Sequence, residues 1–167
     1  MRLLAVCLAF GLCRTALAQA PMPPEPDEDH AIVFELGWAG DWSRAEGLHH
    51  GGTLAVEVTP IENWLELEIG FTAIRAEDST EMPIDVLLKK PWRLSPKMEF
   101  MIGVGPELIH TTGPEPKTFW GVSAVLDLML WPKKNIGWYI EPGYELTLRD
   151  GSKHHGLSIA AGLLIGR

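Results

Sequence analysis

From residue 65 the chain reads LELEIGFTAIR, with Leu65, Leu67, Ile69, Phe71 and Ala73 alternating with Glu66, Glu68, Gly70 and Thr72. A strict period of two marks a β-strand with one apolar and one polar face. The pattern recurs along the rest of the chain. Before this segment come Ile32, Phe34, Leu36 and Trp38, then Leu54, Val56 and Val58. After it come Met82, Ile84, Val86 and Leu88, then Met98, Phe100, Ile102, Val104, Pro106 and Leu108. Trp120 to Leu130 form a sixth apolar stripe, Trp138 to Leu148 a seventh and Leu157 to Ile165 an eighth, each at every second residue. PIEN at 60–63, PWRLSPK at 91–97, TGPEPK at 112–117, WPKKN at 131–135 and RDGSK at 149–153 separate the later segments with turn chemistry. No stretch sustains a 3.6-residue period. The expected class is all-β: an eight-stranded antiparallel up-and-down barrel, read as crossing a membrane for the reasons that follow.

Which face lies inside decides the solvent. A soluble lipocalin-like barrel would turn all the apolar stripes inward, and an eight-stranded barrel has an interior only just wide enough for its side chains. The opposite face is small and polar, with Gly70, Gly103, Gly105, Gly121, Gly137, Gly143, Gly156, Gly162 and Gly166 beside Ser123, Ser158, Thr59, Thr72 and Thr147. Glycine relieves crowding in a narrow barrel, so that face is the expected interior and the leucines are expected to meet lipid. Trp38, Trp42 and Trp120 fall near one set of strand ends, and Trp64, Trp92, Trp131 and Trp138 near the other. Two aromatic bands are what a membrane barrel presents at its two interfaces.

These features resemble the small eight-stranded bacterial outer-membrane barrels, the family that includes OmpX and the OmpA transmembrane domain. The resemblance spans roughly residues 30–167 and includes the final strand HHGLSIAAGLLIGR. It departs at one point: Arg167 ends the chain where such barrels carry an aromatic residue read by the insertion machinery. The resemblance implies a monomer in outer-membrane lipid, handled by that machinery, with both mature termini in the periplasm. The turns at 60–63, 90–97 and 132–135 would then be periplasmic, and the loops near 39–50, 76–81, 111–117 and 149–154 external.

The amino terminus fits export. Arg2, an apolar run from Leu3 to Cys13 and small residues at Ala16, Ala18 and Ala20 follow signal-peptide grammar. Cleavage after Ala18 defines a leader of residues 1–18, and the proline- and acid-rich residues 19–29 read as a flexible tether before a barrel domain at 30–167. Cys7 and Cys13 both lie in the leader, so the exported chain has no disulfide or thiol chemistry. Phe10, Gly11 and Leu12 before Cys13 do not suit lipoprotein processing. The formal net charge is −8, and losing Arg2 and Arg14 makes the remainder more acidic, which disfavours nucleic acid as a partner.

With polar residues inward, the lumen is expected to hold Glu35, Glu57, Glu66, Glu68, Asp85, Glu99, Glu107, Asp127, Glu141 and Glu145, against Lys89 and Arg149. Such carboxylates must be hydrated, protonated or neutralised. Two readings stay open: a plugged, structural polar network and a narrow cation-selective pore. Lys89, Lys90, Arg93, Lys97, Lys133 and Lys134 cluster near the periplasmic turns, where anionic headgroups or plain solvation suit them. His49, His50, His110, His154 and His155 fall at the external ends and are weak metal candidates without fixed ligand spacing. His154 and Ser158 share a strand face with Glu145 beside them, but four residues of strand span roughly 13 Å, too far for a nucleophile and its base. The sequence therefore points to no enzyme and no cofactor, and to a structural or surface-interaction role in the cell envelope. A soluble periplasmic small-molecule binder is the alternative.

Overall fold

The computed structural model describes residues 32–43, 47–76 and 78–166. The leader, the tether and Arg167 lie outside them. Eight strands follow in order: β1 Ile32–Ser43, β2 Gly47–Ile61, β3 Leu65–Arg75, β4 Thr80–Ser95, β5 Met98–Thr112, β6 Lys117–Lys133, β7 Ile136–Arg149 and β8 Ser152–Gly166. Each pairs antiparallel with its sequence neighbour, and β1 pairs with β8 from Val33↔Gly166 to Ser43↔Gly156, closing an up-and-down barrel without a free edge. No helix occurs among the described residues.

The alternation resolves in one direction. Ile69, Leu88, Val104, Leu126, Ile140 and Leu163 point outward and are exposed, and Leu36 and Trp120 reach 62 % and 63 %. Glu35, Glu57, Glu66, Glu68, Glu107 and Asp127 point inward and are buried. The lipocalin-like packing, with leucines in the lumen, is not adopted.

Strands run further than the turn chemistry implied. β1 and β2 continue through Gly40↔His50 and Asp41↔His49, inside the stretch read as the loop near 39–50. Paired backbone there hides under polar and glycine-rich composition. β4 likewise passes through Pro91 to Ser95, because β3 stops pairing with it at Glu66↔Lys89 and Pro91 has no ladder donor to lose on that side. Pro83, Pro106 and Pro142 sit where the β3–β4, β4–β5 and β6–β7 ladders are interrupted, for the same reason. Asp150 and Gly151, at φ 49° and 80°, form a two-residue turn with both residues in the left-handed region, which suits the twist of β7 and β8.

The interior is layered. At the end that holds the strand termini Ile32 and Gly166, here the terminal end, Val33, Met101, Met129, Trp131, Tyr139 and Leu164 pack into an apolar floor. Trp131 corrects the aromatic-band expectation. The other six tryptophans are exposed, but Trp131 is 8 % exposed and inward. β6 does not stop at Leu130; it continues through a bulge opposite Ile136, so Trp131 keeps the inward parity of Asp127 and Met129. Its ring closes over Gly137, where an added Cβ would lie 3.0 Å from Cε3.

Candidate functional site

Above the floor, β4 delivers Lys89 to the middle of the lumen, fully buried at 0 % exposure. This agrees with its expected place on the lumen face and takes it out of the terminal-end basic cluster, where Lys90, Arg93, Lys97, Lys133 and Lys134 remain. Lys89 shares the inward parity of Asp85 and Leu87, and its stem needs a notch on the facing strand. Gly103, paired with it, supplies the notch: a Cβ there would come within 2.8 Å of Lys89 Cγ and of Val125 Cγ2.

The ammonium is caged by carboxylates from four other strands. Lys89 Nζ lies 3.6 Å from Glu57 on β2, 2.9 Å from Asp127 on β6 and 2.7 Å from Glu141 on β7, and it also pairs with Glu68 on β3. Glu66 lies against Glu57. Glu35, on β1, completes a group with Glu57, Glu68 and Asp127 whose oxygens lie within 4.8 Å of one another. One ammonium thus ties together strands from opposite sides of the barrel. Each charge has left water, which costs more than a surface pair, so the attraction stabilises the fold only while both partners are present.

The expected acids do not form one network. Glu35, Glu57, Glu66, Glu68, Asp127 and Glu141 gather around Lys89. Asp85 and Glu107 face each other higher up, in register between β4 and β5. Gly70 makes room for Asp85, since a Cβ there would stand 2.6 Å from Oδ1. Glu145 accepts a hydrogen bond from the Ser158 hydroxyl and lies against Asp41. Glu99 lies apart at the terminal end, half-buried and opposite Arg93. Arg149 also leaves the central cage: it reaches Glu81 at 2.7 Å and lies 4.2 Å over the Phe119 ring.

Between the cage and the far end, which holds the hairpin turn at Asp150 and Gly151, is a cavity of about 570 Å³. Glu35, Glu68 and Glu141 form its base, and Asp41, Lys153 and His154 stand at its rim. Asp41 and Glu81 were not singled out in the sequence, although each continues an inward parity already read, from Glu35 through Ala39 and from Lys89 through Asp85. Extending those alternations by one pleat finds both.

The histidines stay dispersed. His110 Nδ1 is 2.8 Å from Thr118 Oγ1, and His155 Nδ1 contacts the Tyr144 hydroxyl. His49 pairs with Asp41 and His50 with Gly40 and Arg75 in register, while His154 turns to the cavity rim. Among the described residues, the group close enough to surround one metal ion is the carboxylate set Glu35, Glu57, Glu68 and Asp127, with no histidine in it.

Neither a family model nor a curated protein matches the sequence. Solved structures do. Neisserial surface protein A superposes with a TM-score of 0.63 at 12 % identity, over 81 % of this chain and 96 % of that one. OprG of Pseudomonas aeruginosa gives 0.62 at 9 % identity, over 80 % and 94 %. The N-terminal β-barrel domain of Pseudomonas aeruginosa OprF gives 0.55 at 12 %, over 79 % and 97 %. Identities this low carry fold alone: the chain is a closed eight-stranded antiparallel barrel with the architecture of the small outer-membrane barrels.

Proposed function

We propose that the chain is an outer-membrane β-barrel protein of a Gram-negative envelope, with a structural or surface-interaction role and a lumen that does not conduct. The observation that carries this reading is the inverted burial: large apolar side chains cover the outside while carboxylates and an ammonium are buried inside, above an apolar floor. Water would penalise such an outer surface, and lipid rewards it. Exposed Trp64, Trp92 and Trp138 toward the terminal end, and Trp42 and Trp120 toward the far end, suit two headgroup interfaces.

The termini and the shorter turns are assigned to the periplasm and the cavity mouth to the cell exterior. Lys90, Arg93, Lys97, Lys133 and Lys134 then face phospholipid headgroups. A cleaved leader, the barrel insertion machinery and a monomeric state complete the proposal. The surface-interaction role agrees with the name of one structural neighbour, a surface protein. A non-catalytic role is part of the same proposal, supported by the roughly 13 Å that four residues of strand put between His154 and Ser158 on β8. The packed floor under the Lys89 cage favours a plugged lumen over the cation-pore reading.

Cell fractionation followed by planar-bilayer recording of the recovered chain tests both parts. Recovery in the outer membrane without stepwise current is expected. A soluble periplasmic chain would contradict the location, and cation-selective steps would contradict the plugged lumen.

A further inference from the structure

We propose that the cavity above the Lys89 cage binds a linear organic polyammonium ion, amine groups joined by short methylene chains. The site is a deep, acid-walled cup. Its carboxylates occupy separate levels: Glu35, Glu68 and Glu141 at the base, Asp85 above them facing Glu107, and Asp41 with Glu145 toward the rim. On β7 alone, Glu141 and Glu145 are separated by four residues of strand, roughly 13 Å.

Three of these acids, Glu35, Asp85 and Glu107, have an oxygen left for a ligand, and two of them are nine-tenths buried or more. Glu107, 3 % exposed, lines the cavity with Oε2 lacking a hydrogen-bond partner. Glu35, 4 % exposed, does the same at the base with Oε1. A buried carboxylate oxygen without a donor is costly, and an ammonium supplies both donor and charge. Among the described residues, the Lys and Arg side chains lining the cavity are Arg149 and Lys153. Lys89 is held below by four carboxylates and Arg149 is paired with Glu81, which leaves Lys153 at the rim.

The wall between the acids is mixed, with the hydroxyls of Thr53, Thr72, Ser123 and Thr147 beside apolar side chains. Ala55, Ile74, Leu87, Ile109 and Val125 line the cavity and are buried, a surface suited to methylene groups. A single ion is further disfavoured by geometry. Among the described residues, the carboxylates that converge within 4.8 Å are Glu35, Glu57, Glu68 and Asp127, and the Lys89 ammonium already pairs with three of them. The acids outside that set fall in two further groups, Asp85 with Glu107 and Glu145 with Asp41, as a ligand with several charges requires.

The inference depends on the chain being a barrel and not on which membrane holds it. The test is calorimetric titration of the purified chain, folded in zwitterionic detergent, with spermidine and separately with Mg²⁺ at matched charge. One saturable spermidine site is expected, with no comparable Mg²⁺ site and at least ten-fold weaker binding in Glu107→Gln. No saturable spermidine binding by the wild type, equal binding of Mg²⁺, or an undiminished Glu107→Gln site would each overturn the proposal. The two wild-type titrations decide it even if the variant does not fold, and Asp85→Asn repeats the variant arm. Gel mobility of the same sample with and without boiling reports separately on whether the barrel itself has formed.

Discussion

At Lys89 one side chain faces Glu57, Glu68, Asp127 and Glu141. Removing it leaves buried carboxylates facing one another without their counter-charge. Lys89→Met should therefore destabilise the barrel by about 3 to 5 kcal/mol, as for a buried ion pair broken on one side. Lys90→Met, which removes an exposed contact to the Asn63 carbonyl, should shift the urea midpoint of refolding far less. Equal midpoints for the two variants would contradict the cage. The face of every one of these charges was legible, since parity alone places Glu57, Glu68, Lys89, Asp127 and Glu141 inward. Their meeting was not. It depends on barrel closure, which carries Lys89 on β4 across to Glu141 on β7, and no one-dimensional pattern holds that distance.

Element by element, the strands themselves are the most legible feature, because alternation is local. Their ends are less so, because proline and glycine read as punctuation whether or not the partner strand continues. Pro91, read as turn, and residues 40 and 50, read as loop, are strand, paired as Pro91↔Met101 and Gly40↔His50. The same uncertainty over one strand end misplaced Trp131: a turn beginning after Leu130 suggests an interfacial tryptophan, whereas a strand running to Lys133 seats it in the floor. The two placements differ measurably. Trp131→Ala should cost about 3 to 5 kcal/mol as a large core truncation, and Trp138→Ala, on the exposed face, a small part of that. In vesicles of brominated lipid, a variant retaining Trp131 as its sole tryptophan should be quenched much less than one retaining Trp138. Equal quenching would return Trp131 to the interface.

For the molecule as a whole, one inversion organises everything: the apolar face is outside and the charged face inside. The sequence made this choice readable through volume, since an eight-stranded barrel has no room for all its leucines, isoleucines and tryptophans but accommodates its glycines, serines and acids. The layering of floor, cage and cup was not readable, because inward Val33, Met101, Met129 and Leu164 at the floor and inward Ile74, Leu87, Ile109 and Val125 along the cavity all break the small-and-polar rule, and parity does not say which of them seal the lumen. The most direct test places a charge on the outer face at mid-strand. Ile69, 54 % exposed and paired with Val56 and Val86, is the position, and refolding of purified wild type and Ile69→Arg from urea into lipid vesicles, read by gel mobility with and without boiling, is the measurement. The account predicts a heat-dependent mobility shift for the wild type and a loss of about 2 to 4 kcal/mol in the variant. A chain that folds in buffer without lipid or detergent, and tolerates arginine at position 69, would contradict it.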